Sequence, residues 1–463
     1  MNETTVVRES TSMRERLRSL LNHSVVRKGA SLAFLLYLSP IVGMILEITL
    51  IRVFSAGAVL DSFRALLTFM LMGQGVVTSQ LLKYAVIPKL AQFRSRNQDR
   101  EGLVFAFYFT LQVLLILSPI LFIGMVLPEQ MLQFLAPGFD AEIRSQSAHM
   151  VQVATCGFAL LILMGAMTAI LNFHGVFWGQ PVATLILNST ILIAVLCFGY
   201  RATEPSSQFV LLEAATSLGL MCMLMLMSWQ CIKIWNSTTP EGKAPSLKKT
   251  LYASLIVLLP QLILVAAELI KHLSVNRVLS ELGEGSIVLY MLAFKLYMVG
   301  LLPVIAVVTI IFPDFSRLKT NTDDQQLAEK IKTGSLRIFL ISGVASIVVW
   351  LLAPIMIDII SYLANLDVTR RDLVVEVYRA FLIFTPFSSL CIFYMESSYA
   401  FGRKKTVLTY SVINTSIIAF LMPVFGSQGA LNVVYVYTWV QATCTVFFGL
   451  ALYYSLKRAP LRV

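Results

Sequence analysis

Long apolar runs separated by short polar connections recur along the chain. Most runs are about 20 residues long, the length that an α-helix needs to cross the hydrocarbon core of a bilayer. We predict spans at residues 31–54, 62–88, 103–126, 147–171, 180–199, 208–232, 251–273, 286–312, 334–361, 376–399, 405–424 and 430–455. The pattern therefore predicts an all-α polytopic membrane protein with about 12 transmembrane helices.

The composition supports a membrane protein. Hydrophobic residues make up 57% of the 463 positions and charged residues 13%, whereas a soluble domain carries roughly 25% charged residues. The mean hydropathy is +0.78. The 6 cysteines lie in or beside apolar runs without metal-ligand spacing, so we interpret them as packing residues and expect no bound metal.

The basic residues are distributed unevenly between the two sides of the membrane. The chain has 36 Lys and Arg residues and a formal net charge of +11. With the N-terminus inside, 25 of them fall on the cytoplasmic side and six on the outer side, as the positive-inside rule requires. We therefore expect a multi-pass protein of the bacterial inner membrane with both termini cytoplasmic, and no nucleic-acid partner. The six outer residues are Arg144, Arg201, Lys271, Arg277, Arg370 and Arg371.

A short internal repeat divides the spans into two sets of six. Arg52-Val53-Phe54-Ser55 precedes Pro88 at the same spacing at which Arg277-Val278-Leu279-Ser280 precedes Pro313. Both prolines lead into a basic connection. We therefore predict two six-helix halves of equal orientation, an arrangement in which transporters bind substrate between the halves.

This repeat also sets the predicted domain boundaries. Residues 1–29 are polar, and no signal-peptide cleavage site follows the first apolar run, so residues 1–29 are predicted to form a cytoplasmic tail. The N-terminal half follows at 30–235, a cytoplasmic linker at 236–250, and the C-terminal half at 251–463.

No enzyme motif is found in the sequence. There is no Walker A sequence, no dinucleotide-binding glycine motif and no HExxH zinc motif. We expect a protein that is not an enzyme and has no cofactor, so transport would use a proton or sodium gradient or the membrane potential.

Charged residues inside the apolar runs are the candidate functional groups, because each costs about 3 kcal/mol at the centre of a membrane helix. Lys295 lies deep in span 8 and is predicted to bind an anionic headgroup, or else to pair with a carboxylate. Asp61 and Arg64 share one face of span 2, either as a local ion pair or as part of an outward gate. Arg52 lies at the same level, and Lys83 lies near the cytoplasmic end of span 2, where snorkelling to the interface is the alternative.

Acidic residues inside the spans are candidates for gating or coupling. Glu47 lies in span 1, Glu268 in span 7 and Glu396 in span 10. Glu213 in span 6 and Asp358 in span 9 belong to the same group. Each could bind a coupling proton or sodium ion, or neutralise a buried base.

Several motifs resemble the MurJ/MviN lipid II flippase family of the multidrug/oligosaccharidyl-lipid/polysaccharide (MOP) exporter superfamily. The run from Arg52 to Gly57, followed by Asp61-Ser62-Phe63, is similar to that family's Arg-(Ile/Val)-Phe-Gly-Ala-Gly and Asp-Ala-Phe. Leu135-Ala136-Pro137-Gly138-Phe139 is similar to its Leu-Ala-Pro-Gly-Phe. Ile170-Leu171-Asn172 and the segment from Glu396 to Thr406 extend the resemblance along nearly the whole chain.

The resemblance implies a flippase that moves undecaprenyl-diphosphate-linked sugars by alternating access, with basic cavity residues holding the diphosphate. It places Asp61 on the family's aspartate at the start of span 2. Lys295 falls on an arginine of the family's span 8, so the charge is kept but the bidentate fork is lost. The implied partners are a lipid-linked glycan, membrane lipids, and glycosyltransferases or a polymerase of the same pathway.

Four arginines of the family's basic site are missing here. Pro40 and Leu46 stand at the two span 1 positions, and Gln74 and Gly75 at the span 2 pair. Arg64 and Lys83 could supply displaced positive charge. The departures favour a relative that carries another lipid-linked glycan, such as an exopolysaccharide repeat unit.

Two other functions remain open from the sequence. An ion-coupled small-molecule or drug exporter of the same superfamily would have acidic and aromatic cavity walls. A membrane scaffold that recruits polysaccharide enzymes would tolerate the loss of every intramembrane base.

Overall fold

The computed structural model describes residues 24–76, 86–238, 247–302, 324–401 and 403–457, and no strand occurs in these ranges. The long helices of the described residues, numbered in chain order, are α1 Ser24–Phe54, α2 Ala58–Val76, α3 Asp99–Val126, α4 Ala148–Phe173, α5 Gly179–Phe198, α6 Pro205–Ser237, α7 Leu247–Glu281, α8 Ser286–Leu302, α9 Asp324–Ala364, α10 Val368–Ile383 with Thr385–Ala400, α11 Lys404–Phe425 and α12 Ala430–Lys457. Short helices lie at Ile87–Arg94, Pro128–Leu135 and Ala141–Gln146.

These helices confirm the predicted all-α membrane fold. Within the described ranges, 8 helices are long and apolar enough to cross a bilayer, and the bent helix α10 brings the number to 9. The other three predicted spans coincide with α2, α7 and α8, each of which adjoins residues outside the described ranges. Every predicted span therefore has a helix at its position.

Helix α10 is broken near its middle. Its two parts, Val368–Ile383 and Thr385–Ala400, meet at Phe384 with a bend of 48°. Pro386 lies at the first turn of the second part, where proline is compatible with a new helix. Pro40, by contrast, lies inside the continuous helix α1.

The two halves pack in the same order. In the N-terminal half, α1 packs on α5, α5 on α6, α6 on α4, and α4 on both α2 and α3. The C-terminal half repeats this order, with α7 on α11, α11 on α12, α12 on α10, and α10 on α9. The contact between α8 and α10 is the equivalent of the contact between α2 and α4. There Tyr297 donates a 2.5 Å hydrogen bond to Ser388.

The halves meet along few helices. Contacts between them join α1 to α9 and α7 to α2 and α3. A further link runs from α2 to the start of α8, through Asp61. The candidate charged residues of α1, α2 and α8 therefore lie close to this junction.

Two predicted boundaries differ from the structure. Helix α1 begins at Ser24, inside the segment predicted as a tail. Helix α7 continues to Glu281, beyond the predicted end of span 7 at residue 273. Lys271 lies well inside this helix and is only 8% exposed. Its assignment to the outer side of the membrane stays a prediction.

Close helix packing predicts a different effect for two Gly→Ala substitutions. A Cβ atom at Gly449 of α12 would lie 2.5 Å from the ring of Tyr394 on α10, whereas one at Gly300 of α8 would meet no atom of the described residues within 4 Å. Overpacking costs about 1–3 kcal/mol, and Ala gains about 1 kcal/mol over Gly in a helix. We expect Gly449→Ala to lower the thermal unfolding temperature in detergent and Gly300→Ala to leave it unchanged or raise it. Equal unfolding temperatures for the two variants would contradict this packing.

Candidate functional site

One buried carboxylate holds two basic side chains at the junction of the halves. Glu47 of α1 forms an ion pair through one oxygen with Arg64 of α2 and through the other with Lys295 of α8. The three residues are far apart in the sequence and come together because α1, α2 and α8 converge here. We call them the charged triad.

The members of the triad differ in exposure. The side chains of Glu47 and Arg64 are 1% and 3% exposed, whereas that of Lys295 is 32% exposed. Nε of Arg64 is buried and has no hydrogen-bond partner among the described residues. Lys295 is therefore the member that a ligand can reach first, and Arg64 retains an unused donor behind it.

The triad carries a net charge of +1, since two cations share one anion. Charges so far from water are tolerated only when paired, and removal of one partner is strongly unfavourable. Glu47 lies seven residues before the end of α1, about 10 Å along the helix axis. The excess positive charge thus lies well inside the helical bundle.

Asp61 links the halves in a different way. Its carboxylate, 1% exposed, accepts hydrogen bonds from the backbone N–H groups of Gly285 at 2.6 Å and Val288 at 2.9 Å. These groups belong to the first turn of α8 and the residue before it. A carboxylate is stabilising there, because it satisfies free donors and complements the positive end of the helix dipole.

The connections near Asp61 are tightly closed. Gly285 has φ +86°, and a Cβ atom on it would lie 2.8 Å from the carbonyl oxygen of Ala56. Gly57 faces Glu284 in the same contact. The backbone N–H of Gly138 also donates a 3.1 Å hydrogen bond to Ser280. The α1–α2 and α7–α8 connections therefore seal the side of the junction that the charge distribution predicts to be outside.

A comparison with protein families identifies the chain. The family model described as "Lipid II flippase MurJ" matches residues 50–461. The protein belongs to the MurJ lipid II flippase family. Membership confirms the resemblance found in the motifs and makes the chain a membrane transporter of the lipid-linked precursor flippase type.

Solved structures show the same fold for this MurJ-family protein. A structure of lipid II flippase MurJ in an inward closed conformation is 16% identical, with a TM-score of 0.70 over 93% of this chain and 88% of that chain. An inward-facing multidrug resistance MATE family transporter of the MOP superfamily is 15% identical, with a TM-score of 0.63 over 93% and 95%. A MATE transporter of Vibrio cholerae is 12% identical, with a TM-score of 0.64 over 94% and 98%. No match is found among curated protein sequences.

The structure places the other predicted site residues apart from the charged triad. The local Asp61–Arg64 ion pair is not formed, because Arg64 turns to Glu47 and Asp61 to the start of α8. Arg52, expected to join them, is exposed at the end of α1. Lys83 lies outside the described residues.

Glu268 forms a second charged pair within the C-terminal half. Its carboxylate lies 2.5 Å from Nζ of Lys271, one turn further along α7, and this ammonium faces the ring of Tyr437 on α12. The i, i+3 spacing of the two residues was visible in the sequence, and both lie inside the predicted span 7, but the sequence alone did not pair them. Glu396 lies elsewhere, half-buried on α10 near Tyr399. No group of His, Cys, Asp and Glu in the described ranges could hold a metal ion.

The triad makes a prediction about stability. Glu47→Gln removes the anion that neutralises two buried bases, so we expect a loss of about 3–5 kcal/mol in the free energy of unfolding, as for other broken buried pairs. Unfolding in detergent, followed by tryptophan fluorescence, measures it. The control is Asp358→Asn, which breaks the exposed pair with Arg371. A loss no larger than that of the control would contradict the buried triad.

The Asp61 contact makes a prediction about access. Asp61→Asn weakens the hydrogen bonds that hold α8 against the α1–α2 connection, so this side should open more often. Ala56, 1% exposed, reports on it as Ala56→Cys in a background without the native cysteines. We expect a membrane-impermeant maleimide to label this cysteine several-fold faster when Asp61→Asn is added. Unchanged labelling would show that Asp61 does not hold the closure.

Proposed function

We propose that this MurJ-family protein translocates a polyprenyl-diphosphate-linked saccharide across the bacterial inner membrane by alternating access. The observation that carries the proposal is the net positive charge of the triad between the halves, with Lys295 as its accessible member. A diphosphate is the part of such a lipid that an ammonium and a guanidinium bind, through charge-assisted hydrogen bonds. The excess charge disfavours a cationic drug as substrate, which was the alternative on this fold.

Glu47 acts in this proposal as a substitute for the substrate anion. Without substrate it neutralises Arg64 and Lys295, which would otherwise be costly buried cations. A diphosphate that enters between the halves competes with Glu47 for Lys295 first, since this side chain is the exposed one. Once Lys295 exchanges its partner, the contact between α1 and α8 weakens, and the halves can move.

The direction of loading follows from the closed side of the junction. The connections around Asp61 and Gly285 are closed, which supports loading from the opposite, predicted cytoplasmic, side. Lipid-linked saccharides are assembled with nucleotide sugars on that side. Opening of the Asp61 contact would then release the substrate outward.

Coupling to an ion gradient is a separate part of the proposal. Glu268 was a candidate for a coupling proton or sodium ion, but the ammonium of Lys271 occupies the position that such a cation would need. The membrane potential or another acidic residue therefore fits better as the driving element. The glycan is proposed to be an exopolysaccharide repeat unit, because the positions of four family arginines hold other residues.

Reconstitution tests the function directly. The assay uses proteoliposomes that carry a fluorescent polyprenyl-diphosphate disaccharide in the outer leaflet. We expect the amount of this probe in the outer leaflet to fall with time only when the protein is present. Lys295→Ala should slow it about 10- to 100-fold, since a hydrogen bond to a charged group contributes about 1.5–3 kcal/mol. Lys295→Arg should retain most of the rate.

The control for this test is Lys332→Ala, which removes an exposed lysine of α9. A flippase-deficient strain gives the same comparison in cells, through complementation of polymer export. Normal transport by Lys295→Ala, with Lys332→Ala also normal, would remove the triad from the substrate path. Equal transport of a neutral polyprenyl glycoside would argue against recognition of the diphosphate.

A further inference from the structure

A groove on the outside of the N-terminal half is not used by the proposed transport path. It lies between α3, α4 and α6 and has a volume of about 460 Å³. Its walls are apolar, with Val104 and Phe107 on α3, Met167 on α4, and Ile232 and Trp235 on α6. Phe107 and Ile232 are 59% and 58% exposed, so the groove opens sideways toward the lipid.

Two arginines stack on aromatic rings at one end of this groove. The guanidinium of Arg100, near the start of α3, lies 4.5 Å from the ring centre of Trp235. That of Arg94 lies 5.3 Å from the ring centre of Phe173, one turn beyond Ile170 of the groove wall. Stacking on a ring face leaves the edge N–H donors of a guanidinium free for an anion.

The arginines are only weakly neutralised by protein groups. Arg100 has no carboxylate partner within the described part of the chain, and Arg94 approaches Asp99 no closer than 3.8 Å. Arg96 is exposed in the turn between them. The end of the groove therefore carries excess positive charge directly beside an apolar surface.

We propose that this groove binds one anionic phospholipid. An acyl chain lies against Phe107, Met167 and Ile232, and the phosphate contacts Arg100 and Arg94. The arrangement matches the two parts of such a lipid, because Arg94 and Arg100 stand at the end where α3 begins and α4 and α6 end, while the described lining of the groove carries no charge. This end is predicted to be cytoplasmic, and Trp235 lies there as interfacial tryptophans do.

The groove is distinct from the proposed substrate path. Its walls come from α3, α4 and α6, whereas the charged triad lies on α1, α2 and α8. A lipid-linked saccharide bound here would not lie between the halves. A resident membrane lipid is therefore the occupant that the geometry favours, and this inference does not depend on the proposed function.

Quenching by brominated lipids tests the site. The protein variant keeps Trp235 as its single tryptophan, with the other four replaced by Phe. It is reconstituted in phosphatidylcholine vesicles. Dibromo-phosphatidylglycerol should quench it more strongly than dibromo-phosphatidylcholine at equal mole fraction. Arg100→Gln should reduce this preference about fivefold, the enrichment of anionic lipid expected for one basic residue at a membrane surface.

A matched control comes from the other half of the molecule. There Arg379 stacks on Trp350 at 4.3 Å, and the single-Trp350 protein should show little preference between the two lipids. An equal preference at both tryptophans, or one unchanged by Arg100→Gln, would overturn the proposal. Release of the quenching by a polyprenyl phosphate would assign the groove to the carried lipid instead and would equally overturn it.

Discussion

The structure depends on how three charges are kept inside a bilayer. Glu47, Arg64 and Lys295 belong to helices that would each insert more easily with an apolar residue at that position. Together they form ion pairs, and because two basic residues share one carboxylate, a net charge of +1 remains. The triad holds α1, α2 and α8 at one point, and through α8 it joins the two halves.

The same helix α8 is held a second time at its start. Asp61 of α2 accepts hydrogen bonds from its first turn, and Gly285 allows the α1–α2 connection to approach its backbone. Two contacts at different depths thus fix α8 of one half against α2 of the other. One contact lies well inside the bundle and involves the partly exposed side chain of Lys295. The other lies at the start of α8, at the closed end of the junction.

The two halves share a packing order but not the arrangement of their buried charges. Between α2 and α4, Phe69 and Phe158 stack with ring centres 5.0 Å apart, and between the equivalent helices α8 and α10 the ring centres of Phe294 and Phe381 lie 5.6 Å apart. Glu47 of α1 pairs with bases on two other helices, whereas Glu268 of the equivalent helix α7 pairs with Lys271 of the same helix. The internal repeat therefore determines which helices touch, while the charged residues on them differ. One fold can host different functions in this way, as the lipid II flippase MurJ and the multidrug resistance MATE transporters do.

The positions of the helices and the family could be predicted from the sequence. An apolar run of about 20 residues is favourable in the bilayer because its own side chains leave water. Basic residues set the orientation of a span through their position beside it. Neither property depends on contacts with other segments of the chain. Asp61 and Lys295 were recognised as important for the same reason, as charges in apolar runs. The end of α7 at Glu281 was not predicted, because the helix continues past the apolar run that defined the span.

The pairing of the charges was decided only by the tertiary structure. From spacing alone, Arg64 had Asp61 as its nearest partner on the same face of α2, yet it pairs with Glu47 on another helix. Ion pairs and caps depend on contact distances between segments far apart in the chain, and those distances arise from helix packing. By itself, the sequence determined that this is a polytopic MurJ-like membrane protein with a few costly buried charges. Packing determined which of those charges meet, and that Lys295 among them remains partly exposed.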